Sequence, residues 1–232
     1  MFTSSEFKRR TGHYLNEGWG MTETSPAATF TPLVGERRNG SCGLPMPGIT
    51  HQHAQHRRPV APGAAWRARR DVRGRPEGDQ GLLEDPEATA EAMTADGFLR
   101  TGDVAIMAED GFVAIVDRSK DMIPCAGFNV YPRNVEAAIQ EHPAVAEVGV
   151  IGIHDEYSGQ VPKAFVSLKR GAAPFTLDEL KAFLKDKLGK QAMVRALEIR
   201  AKLPKTAVGK LSKKDLYDEE QRRRASIRRT RR

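Results

Sequence analysis

The pattern of apolar and polar positions is clearest between residues 176 and 189. Apolar side chains recur there every three or four residues, the spacing of one helical face, at Leu177, Leu180, Phe183 and Leu184. Thr176 precedes this stripe with Glu179 three residues further on, the spacing of a capping box, and Gly189 follows the end of the stripe. The pattern predicts a helix that Thr176 caps and whose stripe packs in a core.

Two apolar runs and a second helix complete the pattern in the C-terminal half. The runs AEVGVIGI and KAFVSL are short and almost wholly apolar, which favours buried strands. In YPRNVEAAIQEHPAV, the side chains of Val135, Ala138 and Ile139 share one helical face. Residues 118–218 are therefore predicted to form one compact α+β domain.

The N-terminal half has shorter elements. Residues 1–50 are rich in Gly, Thr and Pro, which indicates short strands and loops. The segment DPEATAEAMTADG predicts a helix followed by a turn. The sequence AEDG lies between two apolar runs and therefore predicts a hairpin.

Residues 51–80 depart from these patterns. They contain no Ile, Leu, Met, Phe or Tyr, but they hold seven arginines and three of the six histidines. A segment so poor in apolar side chains cannot offset its ordering entropy, so we expect it to be disordered. Two alternatives are a metal site at His51, His53 and His56, and a nucleic-acid arm, for which Trp66 alone supplies few aromatic rings.

Charge and cysteine content indicate which partners and which cellular compartment to expect. The net charge is +7, but residues 51–80 and 221–232 carry the excess of arginine and leave the rest of the chain at −4. No nucleic-acid partner is therefore expected, and residues 219–232 are predicted to be a basic disordered tail. Two cysteines and the lack of an apolar run of membrane or signal-peptide type favour the cytoplasm.

Candidate chemistry begins in the motif GWGMTETSP, residues 18–26. The ring of Trp19 can stack on a base, the hydroxyl of Thr22 can bond to a phosphate, and the carboxylate of Glu23 can hold Mg²⁺. A polar strand end has the same composition, so this motif alone leaves both interpretations open.

Two later motifs add a carboxylate and a cation. Asp103 of FLRTGDVA follows a glycine in a predicted turn, where it can bind both hydroxyls of a ribose or cap its own turn. Lys210 of LPKTAVGKL follows a flexible glycine and can meet developing phosphate charge or remain a solvated lysine.

Taken in order, the motifs resemble the adenylate-forming (AMP-binding) enzymes, and among them the bacterial long-chain fatty acid–CoA ligases. The resemblance rests on GWGMTETSP, GSCGLPMPG, DPEATAEAM, LRTGD, DRSKDMI, GFNVYP and LPKTAVGK, which follow the family's order. It implies that residues 1–117 are the β-rich C-terminal remnant of a large AMP-binding domain and that residues 118–218 are the small α+β domain. GFNVYP favours the long-chain fatty acyl branch.

The resemblance assigns one group of residues to the nucleotide. Trp19 flanks the adenine in this interpretation, and Gly20 belongs to the same nucleotide-binding set. Asp103 binds the ribose hydroxyls, and Arg118 lies beside it.

A second group of residues serves the chemistry in the same interpretation. Thr22 contacts phosphate, Glu23 holds Mg²⁺, and Lys210 stabilises the transition state of adenylation. Lys120 lies at the hinge between the two domains, and Gly127 lines the pantetheine path.

The family uses ATP and Mg²⁺ to activate a carboxylate and then transfers the acyl group from AMP to coenzyme A. The small domain swings between the two half-reactions, because one site serves both chemistries. The resemblance thus implies fatty acid, ATP and coenzyme A as substrates, and it is compatible with peripheral membrane association.

Several departures from the family predict a fragment with little or no ligase activity of its own. Only 17 residues precede GWGMTE, and the Gly-, Ser- and Thr-rich phosphate loop does not occur. Ala126 replaces a serine, Pro124 interrupts a strand entry, and Asn134 replaces the first acid of a Glu–x–Glu pair.

Two other functions stay open at this point. The chain is alternatively a non-catalytic module that binds coenzyme A or an N-terminal partner chain and so completes a split ligase. A basic nucleic-acid-binding protein is the third interpretation.

The resemblance also suggests an origin for the arginine-rich segment. Some codon choices that encode the residues near positions 51 and 83 give family-like peptides when they are read one base out of frame. We hypothesise that one base gained near codon 51 and one lost near codon 83 leave residues 51–82 out of frame. The DNA sequence tests this, since true codons without a family-like peptide in another frame contradict it.

Overall fold

The structure, a computed structural model, describes six segments of the 232-residue chain. They are residues 4–24, 27–38, 40–51, 68–73, 84–95 and 97–230. The chain divides into an N-terminal unit, Met1–Ser119, and a C-terminal unit, Lys120–Arg232. Helices and strands are mixed along the chain, and the predicted α+β class is confirmed.

The described residues of the N-terminal unit form two antiparallel sheets and two helices. The first sheet has the order β1-β2-β3, with β1 (Gly18–Trp19), β2 (Thr29–Phe30) and β3 (Leu44–Pro45). The second has the order β4-β5-β6-β7, with β4 (Thr50–His51), β5 (Ala68–Arg73), β6 (Leu99–Met107) and β7 (Val113–Arg118). The helices are α1 (Ser4–Thr11) and α2 (Pro86–Ala92).

Helix α1 lies in a region where only strands and loops were predicted. It has no apolar stripe, and Glu6 pairs with Arg9 and Arg10 one turn further on. Pairs at this spacing stabilise a helix that hydrophobic periodicity does not reveal.

The helix predicted in DPEATAEAMTADG and the hairpin predicted around AEDG are both present in this unit. Helix α2 begins after Asp85, whose carboxylate accepts the N–H of Ala88. Strands β6 and β7 form the hairpin predicted around AEDG. Gly43 has φ +94°, and a Cβ there would lie 2.1 Å from the backbone of Phe30, so only glycine lets the backbones approach this closely.

Strand β5 corrects the prediction of disorder for part of residues 51–82. Residues 68–73 pair antiparallel with β4 on one side and with β6 on the other. Ladder hydrogen bonds use the backbone and do not require apolar side chains, so the neighbouring strands can order a polar segment. Residues 52–67 and 74–83, and with them most of the alternative histidine site, lie outside the described residues.

The C-terminal unit is one sheet with helices on both faces. Its strands are β8 (Ile123–Cys125), β9 (Phe128–Val130), β10 (Val145–Asp155), β11 (Gly159–Leu168) and β12 (Ala196–Arg200). The antiparallel order is β10-β11-β8-β9, and β12 pairs parallel with β11. The helices are α3 (Pro132–Gln140), α4 (Leu177–Leu184) and α5 (Lys213–Thr230).

Alternate residues of β10 and β11 point to two different cores. Val150 and Val166 join the larger cluster with the apolar faces of α3 and α4. Ile151 and Phe165 join a smaller cluster with Leu216 of α5. Burial on both faces explains why these strands are continuous apolar runs in the sequence.

The predicted helix faces in this unit are confirmed. Val135, Ala138 and Ile139 of α3 are buried in the larger cluster. Helix α4 has the full capping box, because Thr176 accepts the N–H of Glu179 and the Glu179 side chain reaches back to the Thr176 backbone. Leu180 and Leu184 have no exposed surface, and the rest of the stripe packs against the same core.

Helix α5 corrects the prediction of a disordered tail over residues 219–232. The helix continues to Thr230, and residues 231–232 lie outside the described part of the chain. Its first turns are tied to the sheet by ion pairs, namely Glu219–Arg200, Glu220–Lys163 and Arg223–Glu198. Arginine is among the better helix formers, so the basic segment extends a helix that is already anchored.

Among the described helices, none combines the length and the apolar character that crossing a membrane requires.

Candidate functional site

The centre of the candidate nucleotide site is the carboxylate of Asp103. Only 7% of this side chain is exposed. Its Oδ2 accepts the indole N–H of Trp19 at 3.1 Å, and its Oδ1 accepts the Nε–H of Arg118 at 3.1 Å. The structure therefore brings together three of the predicted site residues, of which Trp19 and Asp103 are 84 positions apart in the sequence.

Strand register places Asp103 beside Arg118. The two residues are direct partners in the β6–β7 ladder. Directly beyond this pair, the N–H of Ser119 donates to the carbonyl of Gly102 at 2.8 Å. Gly102 has φ +71°, a backbone conformation that glycine adopts without strain. The arrangement holds the last residues of β7 firmly against the TGD motif.

Trp19 is held by its own small sheet. The N–H of Trp19 donates to the Thr29 hydroxyl at 3.1 Å, and the indole packs on a cluster that contains Ala28, Met46 and Ile49. The ring is thus oriented by packing as well as by its bond to the carboxylate. A fixed indole edge in turn fixes the orientation of the Asp103 carboxylate.

Thr22 and Glu23 lie in a single 3₁₀ turn, Thr22–Thr24, which Met21 separates from Trp19 and Gly20. The buried Thr24 stabilises this turn, because its hydroxyl bonds to both the N–H and the carbonyl of Met21. Thr22 is exposed and Glu23 is half-buried. Within the described segments, no hydrogen bond or ion pair engages the Glu23 carboxylate.

A lone carboxylate of this kind is typical of a site where Mg²⁺ binds together with a nucleotide. It is not typical of a site where protein side chains alone enclose the metal ion. The described residues contain no group of three or more His, Cys, Asp or Glu that could hold a metal ion. Mg²⁺ bound with a nucleotide commonly takes one or two protein carboxylates together with phosphate oxygens and water. Glu23 can supply such a ligand.

The remaining predicted residues belong to the C-terminal unit. Lys120 is exposed and is the first residue of this unit. Gly127 lies in the two-residue turn between β8 and β9, where Cys125 pairs with Phe128. Both turn residues have positive φ, +47° at Ala126 and +81° at Gly127.

Lys210 lies at the end of a short hairpin loop. A bridge between Lys205 and Leu211 closes the loop, and Gly209 has φ +78° within it. The Lys210 side chain is exposed, and no described residue forms a hydrogen bond or an ion pair with its ammonium group. The amine is therefore available to a ligand.

Sequence reasoning missed Asp117, the residue before Arg118. Asp117 is buried, with 6% exposed, and its Oδ1 accepts the N–H of Arg118 at 2.8 Å. It supports the strand end that carries Arg118. The Asp-Arg pair in DRSKD was visible in the sequence, but the burial of the aspartate depends on the sheet.

Comparison with known proteins identifies the class. Residues 134–210 match the family AMP-binding enzyme C-terminal domain. The solved structure of ATP-bound MatB from Rhodopseudomonas palustris superposes with a TM-score of 0.82 at 30% identity, covering 93% of this chain and 42% of that one. The chain belongs to the adenylate-forming, AMP-binding enzymes and corresponds to their C-terminal portion.

Among curated relatives, two kinds of acid–CoA ligase stand out. The long-chain-fatty-acid–CoA ligase of Bacillus subtilis is 40% identical over 220 residues, which is 93% of this chain and 38% of the relative. The 2-succinylbenzoate–CoA ligase of Geobacillus kaustophilus is 40% identical over 201 residues, 85% of this chain and 40% of the relative. The chain therefore spans about two fifths of the length of these relatives.

Proposed function

We propose that this chain supplies the ribose-binding carboxylate and the catalytic lysine of a long-chain fatty acid–CoA ligase. The carboxylate of a fatty acid displaces pyrophosphate from ATP and forms an acyl-AMP anhydride. The thiol of coenzyme A then takes the acyl group, and AMP leaves. The cytoplasm is the proposed compartment.

The observation that carries the proposal is the Asp103 carboxylate held between Trp19 and Arg118. Each carboxylate oxygen has two lone-pair sites, and one donor occupies only one of them. Both oxygens can thus still accept a ribose hydroxyl. Fixing the carboxylate beforehand lowers the entropy lost when the nucleotide binds.

The roles of the other residues follow from their exposure. The free ammonium of Lys210 can approach the negative charge that develops on the transferring phosphate. Thr22 offers a hydroxyl to phosphate. Glu23 would hold Mg²⁺, which neutralises phosphate charge when it is bound.

The choice of a fatty acid as substrate rests on GFNVYP and on the B. subtilis relative. The Geobacillus relative has the same identity with a different acid in its name, so identity alone does not select the acyl group.

A chimera provides the decisive experiment. Residues of the B. subtilis ligase that match this chain are replaced by this chain, and acyl-dependent pyrophosphate release is measured. Lys210→Ala is expected to lower kcat roughly 100- to 1,000-fold, because it removes one preorganised charge at the transition state. Lys214→Ala, at an exposed lysine in α5, is the control. Equal rates for the two variants would contradict the role of Lys210.

Asp103 is tested in the same chimera. Asp103→Asn is expected to raise the KM for ATP roughly 10- to 100-fold, the usual cost of losing hydrogen bonds to a charged group. Asp110→Asn in the turn of the same hairpin removes a half-exposed carboxylate that pairs with Arg38. If Asp103→Asn leaves the KM for ATP at the Asp110→Asn value, the ribose assignment is wrong.

The chain without added segments is expected to release little or no pyrophosphate. Its sequence lacks the Gly-, Ser- and Thr-rich loop that a phosphate cradle requires. Normal turnover by the purified chain would refute this part of the proposal. Recovery of activity on adding a separate N-terminal segment of the relative would favour a split ligase.

A further inference from the structure

The loop that presents Lys210 is closed by its own hydrogen bonds. The N–H of Thr206 donates to the Lys210 carbonyl at 2.7 Å, and its hydroxyl accepts the Lys210 N–H at 3.2 Å. The N–H of Gly209 donates to the Thr206 carbonyl at 2.8 Å. These bonds shape the loop, but they do not connect it to the rest of the unit.

Two contacts anchor the loop to strand β10. The ammonium of Lys205 pairs with Glu147 at 2.6 Å. Leu211 packs directly over Gly149, where a Cβ would lie 2.6 Å from the leucine Cδ2. Both ends of the hairpin therefore rest on one short stretch of β10.

A third contact, made by Glu136 of α3, joins the start of α5, just after the loop, to the sheet edge. One oxygen of Glu136, Oε1, accepts the N–H of Val150 at 2.8 Å and the ammonium of Lys213 at 2.9 Å. The Glu136 and Lys213 side chains are only 17% and 18% exposed. Strand β10 is at the edge of the sheet. The N–H of Val150 points away from β11 toward this open edge, so a side chain has to supply its acceptor.

Lys213 connects the Glu136 contact to Lys210 through the chain. It is the first residue of α5 and comes three positions after Lys210. Ser212 accepts the N–H of Asp215 at 3.3 Å and so caps the helix just after the loop. A carboxylate beside this helix start is also favoured by the helix dipole. The Glu136–Lys213 contact thus fixes the helix start where the loop ends.

We propose that Glu136 is a positioning residue for Lys210. It holds the start of α5 against β10 and so fixes the position of the loop that carries the Lys210 ammonium. Glu136 does not touch substrate in this proposal, which rests on the proposed catalytic role of Lys210. The advantage of a fixed frame is that the charge needs no rearrangement when the transition state forms.

The test variant is Glu136→Gln in the full chain. Glutamine has the same size and can still accept the Val150 N–H, but it loses the charge that holds Lys213. Glu141→Gln is the matched control, since Glu141 ends the same helix, pairs with Lys187 and is 61% exposed.

The first readout is amide hydrogen exchange measured by NMR, which needs no ligase activity. Glu136→Gln is expected to accelerate exchange at Thr206, Gly209 and Lys210 roughly tenfold, the effect of losing one charge-assisted hydrogen bond. Exchange at Phe165 in the core should not change. Unchanged loop exchange would overturn the proposal, and so would an equal rise at Phe165, since this indicates general destabilisation.

The second readout is adenylation by the chimera. Glu136→Gln is expected to lower kcat roughly tenfold with the KM for ATP unchanged, because a small displacement of a reacting group is costly. Lys213→Met should have the same effect, and the double variant should lose no more, since the two residues act as one pair.

Failures of the two proposals are distinguishable. If Lys210→Ala leaves the adenylation rate unchanged, the proposed role of Lys210 fails, and with it the catalytic meaning of Glu136. If Lys210→Ala abolishes adenylation while Glu136→Gln leaves kcat unchanged, the positioning role of Glu136 is wrong and the proposed function stands.

Discussion

At the scale of single residues, Ala126 has an unusual backbone conformation, which among the described non-glycine residues it shares with Glu84. A two-residue turn with positive φ at both positions matches the right-handed twist of the strands that it joins, and Asn, Asp or Gly normally occupy it. Ala126 has φ +47°, where its Cβ crowds the following carbonyl. The neighbouring Gly127 meets the same demand without strain.

Ala126→Gly is therefore expected to stabilise the C-terminal unit by about 1 kcal/mol, because it removes the left-handed strain. Urea unfolding monitored by circular dichroism measures this change. Ala182→Gly, in the exposed face of helix α4, provides a control of opposite sign and should cost about 1 kcal/mol. A loss of stability with Ala126→Gly would show that the turn is not strained.

At the scale of elements, a network of partly buried charges fastens helix α5 to the sheet. Glu198 of β12 is its centre, bonded to Lys163, Arg200 and Arg223. Burial raises the pKa of Glu198, but the hydrogen bonds from these three cations outweigh it and lower the pKa to about 2. The ordinary value is 4.5, so folding favours the charged form.

This shift predicts how stability depends on pH. The contribution of Glu198 is fully present above pH 4.5, and it disappears as the pH falls toward about 2, where the folded state also takes up the proton. Glu198→Gln should weaken the pH dependence of the free energy of unfolding in this interval. Urea titrations at several pH values measure it.

Glu156→Gln is the control for this prediction, because Glu156 is exposed and no described residue pairs with it. This control should keep the wild-type pH profile. If Glu198→Gln keeps it as well, the network does not couple protonation to folding.

At the scale of the whole molecule, the C-terminal unit contains both of its cores within its own residues. The larger cluster and the cluster around Phe165 draw only on residues after Lys120. A unit with its own buried core and few polar groups left unpaired is expected to fold by itself.

A fragment of residues 120–232 should therefore unfold cooperatively and retain the NMR spectrum of the core amides. A shorter fragment, 120–212, lacks α5 and the fully buried Leu216. It should be less stable by at least about 2–5 kcal/mol, the cost of removing one large buried apolar side chain. Non-cooperative unfolding of the longer fragment would contradict this prediction.

Much of this architecture was predictable, because it depends on local pattern. The stripe and cap of α4, the start of α2 and the β6–β7 hairpin all follow from residues within about one or two turns of each other. Helix α1 and the length of α5 were not predictable in this way. Both helices are polar, and paired charges, rather than an apolar period, stabilise them.

The sequence by itself determined the fold class, the family and the identity of the candidate residues, since these depend on residue type and order along the chain. Tertiary structure alone decided which residues meet. Asp103 lies beside Trp19, and Glu136 beside Lys213, because strand register and helix packing join positions far apart in the sequence. No local pattern encodes such contacts, whose energy appears only when the elements pack together.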